Sequence, residues 1–440
     1  LGVKVKALIL TAGKGERLGA EKAKVLERFL GLPIVERVIL SAREAGVKEF
    51  YVVLGYQGEH VAATLGDGSR LGVNIRYIWN KRRAGENGYS VLAAKEALKG
   101  ERFFLLMGDH LFDPKILARL AGIKVIDGCV LCADKKLQAV FDLPEATKVQ
   151  TEKGEVRAIG KKLEKFDVVD CGIFLCTDEI FNAVEKSIAR GQDELSQAIE
   201  LLAKRGKVKS FDVGDAFWFD LDTSQDFREA RRRMLKSLAR PSDGPISRHL
   251  NRKLSSRISG FLVESRIPPN VLSFAAFLMG ACAALLFGLG SYLAVAAGGV
   301  LAQICSIFDG CDGEVARLKF SRSSFGALLD STLDRYADIL LVLGLVYGYW
   351  HMAGGEFVLF VGFAALIGSF MISYSRARYE GAFGSTPSSQ IPASRDVRLF
   401  ILMVGALLNQ VLATLAILAI LTNGEVIRRM VCWSRGQRQS

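Results

Sequence analysis

Six carboxylates fall within thirty positions of one another in the C-terminal half of the chain: Asp309, Asp312, Glu314, Asp330, Asp334 and Asp338. They are six of the eleven acidic residues found from Glu264 onward. Asp309 and Asp312 are three apart and Asp330 and Asp334 four apart, so on helices each pair lies along one face. Four carboxylates facing one another repel, and some take up protons. A divalent cation removes that conflict, and an oxygen-only ligand set selects magnesium, manganese or calcium rather than zinc. Ion pairing to Arg317 and Arg335 is the competing explanation, and the density of acids counts against it.

A second set of chemically useful residues lies near the N-terminus. An apolar run at 5–10 leads into Thr11-Ala-Gly-Lys-Gly-Glu-Arg-Leu18. Glycines at the end of a strand let backbone N–H groups approach phosphate oxygens, and the cations add charge. The spacing lacks the third glycine of a dinucleotide fingerprint and is not GxxxxGK[ST]. Lys24 follows. Gly108-Asp109-His110 closes one apolar run, and Trp218-Phe-Asp-Leu-Asp222-Thr223 places two more carboxylates at the end of another. Two carboxylates converging on a magnesium ion, with Arg and Lys on a triphosphate, would serve the displacement of pyrophosphate.

These residues need two different scaffolds. Residues 5–10, 50–54, 75–79, 103–107, 128–133 and 172–176 read as strands, with helical stretches at 33–45, 89–98 and 193–204 between them. Strands apolar throughout predict an α/β layer fold with a buried, largely parallel, Rossmann-like sheet over residues 1–239. The Pro/Gly/Ser cluster at 240–245 marks a linker. A basic amphipathic helix follows within 246–265, carrying Arg248, Arg252, Lys253 and Arg257 and suited to an anionic membrane surface. Residues 271–289, 291–308, 339–355, 357–373 and 399–422 then contain no charged side chain, and runs of that length match a hydrocarbon core. Basic residues cluster after the second and fourth runs and at the C-terminus. Placing all of them in the cytoplasm requires an even number of spans, hence six, with the last run broken near Asn409. The expected architecture over 266–440 is an all-α, six-helix transmembrane domain, with the N-terminal domain on the cytoplasmic face.

Bulk properties agree with two halves of different character. The 440 residues are 50% hydrophobic and 24% charged, too apolar for an average soluble enzyme and too charged for a wholly membrane-embedded one. The net charge of +12, placed beside the apolar runs, points to lipid rather than nucleic acid. Cys129 and Cys132 form a lone CxxC without a second pair, so no zinc site is expected and the cysteines are read as reduced. Residues 5–10 are too short for a cleavable signal.

Residues 5–235 resemble the sugar-phosphate nucleotidyltransferase family, whose signature loop matches Leu10-Thr-Ala-Gly-Lys-Gly-Glu-Arg-Leu18. The resemblance implies that Gly13, Gly15, Arg17 and Lys24 bind the nucleoside triphosphate, Arg17 and Lys24 acting in catalysis, while Asp109 and Asp220 hold the metal. Gly85-Glu-Asn-Gly-Tyr-Ser90 resembles the segment that reads base and ribose, through Glu86, Asn87 and Gly88. Lys161, Lys162 and Asp170 occupy the stretch that contacts the sugar phosphate. Ala23 departs from the family, in which many members have proline there.

The string Asp309-Gly-Cys-Asp-Gly-Glu-Val-Ala-Arg317 followed by Gly326-Ala-Leu-Leu-Asp-Ser-Thr-Leu-Asp334 matches the DxxDGxxAR…GxxxDxxxD signature of the CDP-alcohol phosphotransferase family without a departure. That resemblance, over residues 266–432, implies six transmembrane helices, a dimer and two metal ions. It makes Asp309, Asp312 and Asp330 metal ligands and places Asp334 at the same metals as the base. Gly313, Ala316 and Gly326 would leave room for cytidine, with Arg317 on the donor. Arg376, Arg378, Arg395 and Arg398 supply guanidinium forks for an acceptor that itself carries a phosphate; positive-inside charges are the competing reading.

The fused order resembles bifunctional enzymes that couple an inositol-1-phosphate cytidylyltransferase to a di-inositol phosphate phosphate synthase. That implies CTP and inositol-1-phosphate as substrates, CDP-inositol as intermediate and a compatible solute as product. Two alternatives keep part of the chemistry: a CDP-alcohol-dependent phospholipid synthase, or a membrane phosphotransferase with a nucleotide-sensing regulatory domain.

Overall fold

A computed structural model describes residues 5–13, 23–82, 86–239, 243–384 and 393–436. The chain divides into two compact units, Leu1–Arg233 and Met234–Ser440.

The first unit is built on a nine-stranded sheet. Across it run Asn74–Trp79, Glu49–Leu54, Lys6–Leu10, Phe103–Met107, Val168–Cys176, Cys129–Asp134, Val208–Asp212, Glu155–Gly160 and Lys148–Glu152. Its first four strands are parallel. Leu8, Ile9, Phe103 and Phe104 are buried on both faces, as expected of parallel strands covered by helices. Beyond them the expectation of a largely parallel sheet fails. Val168–Cys176 runs antiparallel to both of its inner neighbours, and Lys148–Glu152 and Glu155–Gly160 form an antiparallel hairpin. The reason is visible in that hairpin: its two turn residues, Lys153 and Gly154, both have positive φ, 51° and 81°, the conformation of a tight two-residue connection. Its strands bury only Val149, Val156 and Ile159, as at an antiparallel edge with one wet face. A search for continuously apolar runs passes over such strands.

A separate two-stranded ladder pairs His110–Phe112 with Trp218–Asp220, with Asp220 opposite His110. It carries two regions remote in sequence to the same end of the sheet.

The second unit is helical: Arg252–Leu262, Pro269–Gly288, Tyr292–Leu318, Ser324–Ala353, Phe357–Phe383, Arg395–Leu407 and Val411–Gly436. Four of the helices are long and apolar enough to cross a membrane: Pro269–Gly288, Tyr292–Leu318, Phe357–Phe383 and the 24 residues Val411–Ser434. Ser324–Ala353 has the length, but its first half carries the acids. Arg395–Leu407 has only 13 residues, because the last apolar run breaks at Asn409, whose φ is 54°. Small residues let the helices approach closely; a Cβ on Gly344 or Gly348 would overlap the backbone of Ala284 or Phe287.

Helix Arg252–Leu262 has the reverse polarity of a helix on a water-soluble protein. Asn251, Ser255 and Ser259 are buried, while Leu250, Leu254 and Phe261 are exposed, Phe261 by 79%.

Candidate active sites

In the first unit the end of strand Phe103–Met107 lies beside the end of its parallel partner Lys6–Leu10. Gly108 N donates to Leu10 O at 3.0 Å, and a Cβ on Gly108 would lie 2.7 Å from that oxygen, so glycine is required for Asp109 to emerge at the sheet edge. Asp220 arrives through the short ladder. Lys24, on a 3₁₀ turn at Lys24–Leu26, is buried. Its Nζ donates to Asp109 Oδ2 at 2.7 Å and to Asp222 Oδ1, and lies 3.6 Å from Asp220 Oδ1. His110 Nδ1 is 2.9 Å from Asp109 Oδ1 and 3.7 Å from Asp220 Oδ1. Gly172, at φ 68°, leaves room for this ring, since a Cβ there would stand 2.6 Å from it.

The charges explain one another. Burial alone would lower the Lys24 pKa, but the Asp109, Asp220 and Asp222 carboxylates outweigh it and raise it. Burial likewise opposes ionisation of Asp109, and Lys24 and His110 hold it well below the usual carboxylate range. His110 is pushed up to about 9: burial works against the cation, while Asp220 and Asp109 more than compensate. Burial raises Asp220 and lifts Asp170 to about 7.

Asp109, His110 and Asp220 offer ligand atoms within 4.8 Å of one another. Asp220 Oδ1 is buried without a hydrogen-bond donor, the kind of oxygen a cation satisfies, so these residues fit a divalent metal. They open onto a cleft of about 550 Å³, also lined by Glu86, Asn87, Lys161, Asp170 and Trp218. Asn87 Oδ1 accepts from Leu195 N at 2.7 Å, and Glu86 N and Gly88 N donate to Asp193 at 3.1 and 2.9 Å. Asn87 and Gly88 thus fix one wall of the cleft. Lys162 is exposed, and Gly13 is exposed at the end of its strand. Gly15 and Arg17 lie outside the described residues. His110 had no expected role, and Asp222 was expected only as a second carboxylate beside Asp220, two residues on and so on the same side of an extended segment.

In the second unit, helices Tyr292–Leu318 and Ser324–Ala353 bring together Asp309, Asp330 and Asp334, again with ligand atoms within 4.8 Å. Asp312 lies within hydrogen-bonding reach of Asp330 and accepts from Ser273 Oγ and from Gly313 N. An all-carboxylate set of this size fits a hard divalent cation. Arg395 reaches into the cluster. Its Nη1 lies 2.8 Å from Asp309 Oδ2 and 2.7 Å from Asp334 Oδ1, and its Nε lies 3.0 Å from Asp338 Oδ1. Arg398 is buried, bonded to Asp338 at 2.8 Å and to Ser369 O at 3.0 Å. Its fork is thereby committed within the protein, against the expectation that it is offered to an acceptor. Arg376 pairs with Glu380 at 2.9 Å, and Arg378 is exposed. Arg317 Nη2 donates to Leu238 O at 3.2 Å. A Cβ on Gly313 would meet only Arg317 Nη1, at 3.5 Å, so the space beside Gly313 is open, whereas one on Gly326 would press on Ser323 Oγ and Asn270 Oδ1 at 3.0 and 3.1 Å. Ala316 is half-buried on the same helix. Ser273 carried no motif by which to find it, and the sequence singled out Asp338, Arg395 and Arg398 separately without pairing them.

A nucleotidyltransferase unit joined to a helical CDP-alcohol phosphotransferase unit defines a two-site transferase. Residues 7–141 match the MobA-like NTP transferase domain, and residues 266–427 match CDP-alcohol phosphatidyltransferase. The chain is 38% identical to a bifunctional IPC transferase and DIPP synthase from Rubrobacter xylanophilus, over 98% of this chain and 97% of that one. It is 37% identical to the protein of the same name from Aquifex aeolicus, over 96% of each. Among solved structures, the inositol-1-phosphate CTP transferase from T. maritima is 30% identical with a TM-score of 0.46, covering 51% of this chain and 92% of that one. The chain belongs to the family of bifunctional IPC transferases and DIPP synthases, and it is an enzyme.

Proposed function

We propose that the first unit transfers the cytidylyl group of CTP to inositol-1-phosphate, forming CDP-inositol and pyrophosphate. The second unit then transfers the phosphoinositol group from CDP-inositol to a second inositol-1-phosphate, releasing CMP. The observation that carries this reading is that one chain, matching the Rubrobacter and Aquifex relatives over 96% or more of each, holds both carboxylate sites, the product of one being the donor required by the other.

In the first reaction Lys24 supplies positive charge where the α-phosphate and leaving pyrophosphate accumulate negative charge. His110 orients Asp109 through its Nδ1 bond. Asn87 and Gly88 shape the nucleotide end of the cleft, and Lys161 and Asp170 lie where the sugar phosphate enters. In the second reaction Asp334 takes the acceptor hydroxyl's proton as the alkoxide attacks the β-phosphorus of the donor and the bond to CMP breaks. Arg395, already beside Asp334, neutralises the approaching acceptor phosphate. Bound divalent metal, for which we favour magnesium, would supply charge stabilisation at the phosphates in both sites, held by Asp109 and Asp220 in the first and by Asp309, Asp312, Asp330 and Asp334 in the second. We assign residues 1–239 to the cytoplasmic nucleotidyltransferase, 240–265 to an interfacial linker and 266–440 to a six-span membrane domain that forms a homodimer.

The test incubates purified protein with CTP, magnesium and labelled inositol-1-phosphate. Pyrophosphate, CMP and a water-soluble di-inositol product are expected. An organic-phase product would establish a lipid synthase instead, and no pyrophosphate would reduce the first unit to a regulatory module.

A further inference from the structure

Glu314 lies inside the metal-ligand motif yet has no part in the phosphotransfer chemistry above. Two positions beyond Asp312, it leaves helix Tyr292–Leu318 about 200° around the axis, away from the ligands. It is fully buried, and three side chains bind it. Oε1 accepts from Arg252 Nη1 at 2.6 Å and Ser255 Oγ at 2.8 Å, and Oε2 accepts from Ser259 Oγ at 2.7 Å. The other edge of the Arg252 guanidinium is held by Asp243, with Nε to Oδ2 at 2.8 Å and Nη2 to Oδ1 at 2.9 Å. One turn earlier, a Cβ on Gly310 would come 2.9 Å from Arg252 Nη1, so the absence of a side chain there lets the guanidinium lie against the helix. About two and three turns earlier, Ser306 and Gln303 bond to Asn251 at 3.0 and 2.9 Å.

Residues 303, 306, 310 and 314 form one stripe at helical spacing, and all four meet the short segment 251–259. Apolar packing is non-directional and tolerates small rotations of a helix, whereas hydrogen bonds weaken steeply away from their preferred geometry. A polar stripe here fixes what an apolar one would leave adjustable.

We propose that Glu314, Arg252 and Asp243 form a positioning relay that sets the rotation of helix Tyr292–Leu318, and thereby aims Asp309 and Asp312 at the metals. The relay rests on the metal-dependent reading of the second site. It acts through the ligands and touches neither substrate.

The experiment uses the full chain in detergent micelles. Manganese binding is followed by electron paramagnetic resonance without substrate, in an Asp220→Asn background that disables the first site; CMP release from CDP-inositol and pyrophosphate release are measured with Asp220 intact. Glu314→Gln should weaken manganese binding and CMP release about 10- to 100-fold, with pyrophosphate release unchanged. The double variant Glu314→Gln/Arg252→Gln should lose less than the sum of its two single variants, because the two share the Glu314–Arg252 interaction; full additivity would overturn the relay. Manganese affinity within about twofold of the parent in Glu314→Gln would overturn the relay. If that variant fails to fold, as judged by thermal melting, Arg252→Lys decides by the same readout, since it keeps the charge but loses the fork between Glu314 and Asp243. A parent that neither binds manganese nor releases CMP overturns the reading of the second site, and the relay with it. A parent that does both alongside an unaltered Glu314→Gln overturns the relay alone.

Discussion

The two carboxylate sites solve one electrostatic problem with different materials. At the edge of the sheet, Asp109, Asp220 and Asp222 are gathered by strand ends and held by His110 and the buried Lys24, which is 85 positions from the first and 198 from the last. Among the helices, Asp309, Asp330 and Asp334 are gathered by two neighbouring helices, and Arg395 enters from a third. The sheet site draws its carboxylates and its cation from three regions remote in sequence, whereas two consecutive helices supply the carboxylates of the other. The sheet site therefore depends on long-range packing of loops, and the helical site on the mutual rotation of helices.

Asp334→Asn separates the two sites most strongly. It should lower CMP release about 10²- to 10⁴-fold, the range for losing a general base, while leaving pyrophosphate release from CTP intact in the same preparation. Loss of both activities would mean that the sites are not independent. Lys24→Ala should do the converse, lowering pyrophosphate release about 10²- to 10³-fold with CMP release from supplied CDP-inositol retained. Unchanged pyrophosphate production would remove Lys24 from the first reaction.

Gly172→Ala tests the dependence on loop packing. The side chain meets the His110 ring at a positive φ, so destabilisation of about 1–3 kcal/mol by chemical denaturation is expected, with reduced pyrophosphate release and no change in CMP release. Asp170→Asn should have the smallest effect. The folded pKa near 7 stands above the ordinary 3.8, so the folded state retains a proton that the unfolded chain gives up. Stability from this residue is complete at low pH and falls as pH rises through 7. Denaturation curves at about pH 5 and about pH 8 should differ less in Asp170→Asn than in the parent. An equal difference would show that Asp170 is ordinarily ionised.

Much of this was legible because it is local. The spacing of Asp309, Asp312, Asp330 and Asp334 fixes their faces on any helix, and the six apolar strands read from sequence are present. The antiparallel hairpin at 148–160 was not legible, since its half-exposed strands lack an apolar run. The expectation for the helix beyond the linker was amphipathic. Lys253, Leu254, Arg257 and Phe261 do face outward, but Arg252 turns inward and the inner face is polar because Glu314 and Gln303 require partners there.

The amino-acid order alone determined two kinds of chemistry and the scaffold each requires, because periodicities of two and 3.6 residues act within a few positions of a residue. Only the tertiary structure decided which cations answer the carboxylates: Lys24 for Asp222, Arg395 for Asp334 and Arg252 for Glu314. Those pairs have no fixed spacing along the chain, and burial makes leaving any of them unpaired too costly to tolerate.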